Sequence, residues 1–257
     1  MSAVTRRQFV QIAGIAAIAG SHNSAAAVTE AATAAAVMPG NGAGAFDHVS
    51  TPLPLPFDTR KLAGLSERLL QSHWENNYSG AVKALNTVRS RLSQALADST
   101  TPPYVYNALK REQQVRSGSV VLHELYFANL GGDGKAPAKL RSTLAGSFGS
   151  FDTWEAEFRK IGLGLGGGSG WVMLGFNHGL NLLENYCLGD HATAPATVTP
   201  LLMMDMYEHA YQIDYGAAAA KYIDACFVNL QWDKVAERLA TVNAGAVAAL
   251  PPSAHSG

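Results

Sequence analysis

Only two cysteines, Cys187 and Cys226, occur in the 257 residues, too few for a disulfide framework or a four-cysteine zinc site. Charge is scarce and nearly balanced: 15% of the side chains are charged, and 19 Lys and Arg against 20 Asp and Glu leave a formal net charge of -1. That removes the basic footprint of a general nucleic-acid binder. Several catalytic signatures are missing as well. The glycine-rich stretch 162–170 lacks the Lys-Ser/Thr ending of a phosphate-binding loop and precedes an expected strand rather than a helix. Gly168-Ser169-Gly170 leads into that same strand, so no serine elbow of the strand-to-helix kind is present. Glu-x-x-His is absent, which excludes a bundle built around two carboxylate-bridged irons. What the chain does have is 47% apolar residues, enough to bury a core and unlike a disordered tail.

The first residues read as an address. Thr5-Arg6-Arg7-Gln8-Phe9-Val10, an uncharged stretch from Gln8 to Thr29 and Ala25-Ala26-Ala27 give a charged start, a mildly hydrophobic middle and a small-residue cleavage site. Gln11, Ser21, His22, Asn23 and Ser24 interrupt that middle, which makes it a poor permanent membrane span. The paired arginines ahead of Phe9 resemble a twin-arginine export signal. Residues 1–27 are therefore expected to be a signal peptide recognised by the twin-arginine machinery. Its removal leaves a periplasmic or secreted protein with no stable membrane anchor. Residues 28–52 are expected to be a flexible tether, and 251–257 a tail.

The remainder reads as an α+β chain: an N-terminal antiparallel helical hairpin over 53–131 and a C-terminal α/β domain over 132–250. Pro52, Pro54 and Pro56 mark an extended entry. Leu62, Leu65, Leu69, His73, Ala81, Ala84, Val88 and Leu92 then recur at steps of three and four, with one double step across Asn77, as on the apolar face of a long helix. Pro102 and Pro103 end it. A second helix is expected from about 107 to 130, with Ser119, His123, Tyr126 and Leu130 on one side. Beyond a Gly131-Gly132-Asp133-Gly134 linker, a short helix opens at Phe151 with Asp152 or Thr153 as its cap. Residues 171–176 and 180–184 flank an Asn177-His178-Gly179 turn as a hairpin. Residues 201–205 form a third apolar run, which gives a small three-stranded antiparallel sheet, and helical patterns near 208–228 and 232–241 close the chain.

Four residues stand out chemically. His73 and His123 fall on the inward faces of the two helices, while Asp205 ends a strand and His209 follows four residues later. A lone histidine on an apolar face is usually a hydrogen-bonded core residue; the combination is what points to a metal. Three neutral imidazoles and one carboxylate suit iron or manganese and leave a coordination position open. Zinc fits by ligand type, but it is redox-silent.

Ser72-His73-Trp74-Glu75-Asn76-Asn77-Tyr78, Leu122-His123-Glu124-Leu125-Tyr126-Phe127, Gly168-Ser169-Gly170-Trp171 and Asp205-Met206-Tyr207-Glu208-His209-Ala210-Tyr211 resemble segments of the iron/manganese superoxide dismutases. The likeness extends from about residue 53 to 239 and carries all four ligands: His73, His123, Asp205 and His209. It implies one iron or manganese ion per subunit, superoxide as substrate, dioxygen and hydrogen peroxide as products, and a homodimer. By the same resemblance Trp171, Tyr126, Phe127 and Tyr207 line the metal pocket, and Tyr207 stands where a tryptophan is common. Glu208 and Tyr211 face the partner subunit.

The chain departs from the family around those ligands. Ala81 stands in place of the gateway tyrosine two turns after the first ligand, and Asn77 in place of a second histidine. The glutamine that orients metal-bound solvent comes either from four residues before the second ligand, here Ser119, or from the segment before the Asp ligand, here near Gly189 and Asp190. Neither has glutamine; His191 is the substitute the resemblance offers, set against a plain surface histidine. Tyr78 is expected to lie off the face that Ala81 occupies. The resulting expectation is an exported superoxide dismutase. Its alternatives are a metal-binding protein of the same fold with little dismutase activity, or a different metal-dependent oxidoreductase.

Overall fold

The computed structural model describes residues 44–245; the expected signal peptide, most of the expected tether and the tail lie outside them. The first helical element is assembled from three pieces. Helix α1 (Glu67–Ser72) starts where the Ser66 hydroxyl accepts the Leu69 amide proton at 3.1 Å, a cap that contributes about 1 kcal/mol. A wide π-helical turn (His73–Tyr78) follows, closed by the Ser79 amide on the Trp74 carbonyl, and α2 (Ser79–Ala97) continues the same direction. The skipped step at Asn77 in the apolar pattern is this wide turn, which inserts one residue into the helix and restores the buried face at Tyr78 and Ala81. Leu62 and Leu65 precede the helix and are buried in the turn before it.

Helix α3 (Pro103–Ala128) runs antiparallel against α2. It begins at Pro103, earlier than the apolar pattern suggests. Proline's fixed φ and missing amide proton suit a first helical position, so the proline pair starts this helix, while α2 already ends at Ala97. Leu85, Leu122 and Phe127 belong to the continuous core between the elements. Truncating fully buried Leu92 to alanine costs about 2–5 kcal/mol, by the usual penalty for emptying a core leucine site.

After the glycine linker come α4 (Ala138–Phe148), which the sequence pattern does not reveal, and α5 (Phe151–Leu165). The cap of α5 is Ser150, one position before Phe151, and not Asp152 or Thr153; its hydroxyl accepts the Thr153 amide at 2.9 Å. Gly162 and Gly164, part of the glycine-rich stretch, lie inside this helix. A β-carbon on Gly162 would stand 2.8 Å from the Met204 methyl, so the glycine allows helix and sheet to approach. The sheet is antiparallel in the order β2-β1-β3, with β1 (Trp171–Asn177) central between β2 (Leu182–Leu188) and β3 (Val198–Asp205). Strand β2 begins later than 180 because Asn181 adopts a left-handed conformation, φ 54°, in the turn.

Helix α5 covers β1 and β2, while α3 and α8 (Trp232–Gly245) lie against β3. The helical pattern near 208–228 is broken in two: α6 (Gln212–Tyr215) stops at Gly216, φ 52°, and α7 (Ala219–Val228) follows. The Asn229 side chain ties the entry segment to α7, accepting from the Ala63 amide at 2.9 Å and donating to the Ala63 carbonyl at 2.7 Å. No described helix is long and apolar enough to cross a membrane.

Candidate metal centre

The site lies where the hairpin meets one end of the sheet. Trp171 opens β1 and pairs directly with Asp205, the last residue of β3. The chain then turns through Met206 and Tyr207 into a short 3-10 turn (Glu208–Ala210), which returns His209 toward Asp205. From the other side the π-helical turn supplies His73 and α3 supplies His123. One potential ligand atom from each of His73, His123, Asp205 and His209 lies within 4.8 Å of all the others. Asp205 Oδ2 is 3.1 Å from His73 Nε2, 3.1 Å from His209 Nε2 and 3.6 Å from His123 Nε2. Bonds of roughly 2.0–2.2 Å from imidazole and carboxylate to one shared ion produce separations of this size.

The surroundings orient these atoms. His123 Nδ1 lies 2.7 Å from the Ser119 carbonyl; as donor to it, the ring leaves the Nε2 lone pair facing the cluster. That Nε2 is buried and has no hydrogen-bond partner among the described residues, an arrangement a metal ion relieves. The Tyr207 amide holds Asp205 Oδ1 at 2.9 Å, so Oδ2 is the oxygen turned to the imidazoles. Burial pushes His73 down and His123 down to about 3. Burial alone would raise Asp205, but hydrogen bonds from His209 and His73 outweigh it and hold the carboxyl well below the ordinary range. Neutral imidazoles beside an ionised carboxylate are the donor set that iron or manganese takes.

The expected lining residues divide into two groups. Trp171, fully buried, packs edge-on against His123 with ring centroids 5.0 Å apart. Its indole proton is donated to His191 Nδ1 at 3.0 Å. The His191 ring, 6.0 Å from that of His123, is stacked on Tyr207 at 4.8 Å, and Tyr207 in turn stacks on His209 at 5.3 Å. His191, far from the ligands in sequence terms, is thus part of the site's wall and not a detached surface residue. Burial lowers its pKa and raises the Tyr207 phenol to about 12. Tyr126 and Phe127 lie against His73, with ring centroids at 5.3 and 5.0 Å.

The other group offers less to the cluster. Ala81 is buried in the core, and Asn77 is half-buried without a side-chain hydrogen bond within the described residues. Ser119 contributes chiefly its backbone carbonyl. Tyr78 corrects an expectation: it is buried like Ala81, three residues on, because positions i and i+3 share a helix face. Its hydroxyl donates to Glu124 at 2.8 Å and accepts from the Leu53 amide at 2.9 Å. Glu208 is exposed. Tyr211, expected at a subunit contact, is wholly buried, and its hydroxyl accepts the Gly167 amide at 3.0 Å; its side chain has no free surface with which to meet a partner.

One contributor stands in the sequence only as part of the family likeness, within Tyr222-Ile223-Asp224, with no role attached to it. The Tyr222 hydroxyl donates to the Asp205 carbonyl at 2.7 Å and lies 3.1 Å from the Tyr126 hydroxyl, bracing the ligand-bearing strand end from α7. Its place in the apolar series Ala219, Tyr222, Ile223, Cys226 disguises it as an ordinary core residue.

Comparison with known proteins agrees with this geometry. Residues 136–238 match the family described as iron/manganese superoxide dismutases, C-terminal domain. The chain is 46% identical over 187 residues to "Superoxide dismutase [Fe]" of Cupriavidus metallidurans, covering 73% of this chain and 94% of that protein. It is 33% identical over 186 residues to "Superoxide dismutase [Fe]" of Aquifex aeolicus, covering 70% and 86%. It is 31% identical over 179 residues to "Superoxide dismutase [Mn]" of Mycobacterium intracellulare, covering 68% and 85%.

Proposed function

Since the chain belongs to the iron/manganese superoxide dismutase family, we propose that it is an exported, iron-loaded dismutase in which His191 takes the part of the family's solvent-orienting glutamine. The activity itself is superoxide dismutation with one iron or manganese ion. When bound, that ion supplies the alternating one-electron oxidation and reduction that turn two superoxide anions and two protons into dioxygen and hydrogen peroxide.

The chain's own residues do the rest. His73, His123, His209 and Asp205 hold the ion; Ser119 and Tyr207 fix two of these side chains through backbone groups. Tyr126 and Phe127 on the hairpin, with the buried Trp171 ring against His123, keep that part of the site dry, which strengthens the electrostatics within. Peroxide formation consumes protons, and Ala81 offers no hydroxyl to relay them. The observation that carries the proposal is the 3.0 Å hydrogen bond from the Trp171 indole to His191 Nδ1. With Nδ1 used as an acceptor, the neutral ring carries its proton on Nε2, a donor for solvent or an entering anion. His191 is only half-buried, so that proton is replenished from water. At matched metal content His191→Ala is expected to lower turnover, and His191→Gln to recover part of it; unchanged turnover in His191→Ala would rule the assignment out.

Iron is favoured by the name of the relative at 46% identity, against manganese for one at 31%; metal analysis of protein purified from its native host decides. Export rests on Arg6-Arg7 ahead of Phe9. Replacing both arginines by lysine should retain the protein inside the cell, and undiminished export would contradict the twin-arginine route and with it the periplasmic or secreted location. A homodimer rests on the exposed Glu208 beside His209, placed to reach a partner's metal-binding histidine. Light scattering should give twice the chain mass, and a monomer would dismiss it. The altered Asn77 and Ala81 favour the second reading, a metal-binding protein with little dismutase activity; loaded protein inert toward superoxide at every pH would establish it.

A further inference from the structure

Gly118 sits in the interior of α3, five residues before His123, where glycine weakens a helix relative to alanine. Its presence has a local cause. A β-carbon at this position would stand 1.8 Å from the His191 carbonyl oxygen, 2.7 Å from its carbon and 3.4 Å from the His191 Cβ, whereas real β-carbons essentially never come closer than 3.0 Å to such atoms. The backbone at His191 therefore rests directly on bare helix. The turn bearing it is clasped by its own side chains: Asp190 accepts from the Ala192 amide at 2.7 Å, and the Thr193 hydroxyl both donates to the Asp190 carbonyl at 3.1 Å and accepts from its amide at 3.3 Å. From that seat the imidazole reaches the Trp171 indole at 3.0 Å and stacks on Tyr207 within 9° of parallel.

We propose that Gly118 is a positioning residue for the dismutase reaction: the uncovered backbone of α3 seats the 190–193 turn and so fixes the His191 ring between Trp171 and Tyr207. The inference rests on the reading of His191 as the group that orients solvent beside the metal. Alanine at 118 would push helix and turn apart by more than about 1 Å, and displacements of that size in a reacting constellation cost roughly 10- to 100-fold in rate. The effect passes through His191 alone, so it disappears once that side chain is gone.

The test uses the full chain, first without metal. In Gly118→Ala the nitrogen-bound indole proton of Trp171, assigned with Trp171→Phe, should shift in the NMR spectrum toward its position in His191→Ala, while the indole signals of Trp154 and Trp232 stay in place. In the metal-loaded enzyme Gly118→Ala should lower turnover roughly tenfold with metal content unchanged, and should add nothing to His191→Ala. An unmoved Trp171 signal, or a loss that adds in full to that of His191→Ala, would overturn the proposal. Should Gly118→Ala fail to fold, the exposed Thr193→Ala unclasps the same turn; it should shift or broaden the Trp171 signal, and an unaltered signal would again overturn the seat. If His191→Ala retains full turnover, the role given to His191 fails by itself, and the Trp171 signal of Gly118→Ala still decides whether the seat exists.

Discussion

The hairpin and the sheet end each contribute two of the four candidate metal ligands, but they surround them with different material. On the hairpin side His73 and His123 are almost fully buried, at 1% exposure each, among Tyr78, Tyr126, Phe127 and Ser119. On the sheet side the His209 side chain is 24% exposed, and it continues through Tyr207 into His191 as a run of stacked, partly solvated rings. One side excludes water and the other touches it. His191, the group proposed to handle protons, lies on the side that water reaches, whereas the family resemblance sets a gateway tyrosine and histidine on the hairpin.

That contrast can be broken by substitution. The largest effect belongs to the candidate ligands: His123→Ala leaves only two imidazoles and the Asp205 carboxylate to hold the ion, and should reduce both bound metal and superoxide turnover by more than about 100-fold, as read by elemental analysis and a decay assay on the same sample. Chelation of the native protein should lower its thermal midpoint, because an ion that binds only the folded state stabilises it. His123→Ala should show little response to the same chelator, and an equal drop would place the metal elsewhere.

Next in size comes the sheet side. His191→Ala should retain the metal yet lose roughly 10- to 100-fold in turnover, the usual range for groups that tune a metal site from beyond its ligands. Trp171→Phe keeps most of the packing volume but removes the indole donor that fixes the His191 tautomer, and a smaller loss of about tenfold or less is expected. The smallest effect belongs to the hairpin rim: Asn77→Ala, at a side chain with no hydrogen bond among the described residues, should stay within about twofold of the parent. Were Asn77→Ala to cost as much as His191→Ala, the division into a dry and a proton-handling side would not hold.

The candidate ligands were readable because two physical signals coincide on them. His73 and His123 interrupt otherwise apolar helix faces, and Asp205 and His209 bracket the passage from strand to turn. Other features left weaker traces. The π-helical turn shows in the sequence only as a missed apolar step at Asn77, since a helix with one residue inserted keeps its composition and loses only its phase. Helix α4 escaped because just Leu140 and Leu144 are buried in it. The family resemblance sets Tyr211 at a subunit contact, yet the burial of its ring depends on α7 and the 162–170 stretch, which are remote in sequence. Tyr222 and Gly118 act through partners 17 and 73 residues away, so neither has a local pattern. A glycine inside a long helix is nevertheless a signal of close approach, and at position 118 it marks where the His191 turn lands.

The central claim is that four side chains from the hairpin and the sheet end hold one redox-active ion. Anomalous diffraction at the iron and manganese absorption edges from crystals of the purified protein tests it most directly. The expected result is one peak per chain, within bonding distance of His73 Nε2, His123 Nε2, Asp205 Oδ2 and His209 Nε2. A peak bound elsewhere, or one that leaves any of those four atoms uncoordinated, would contradict it.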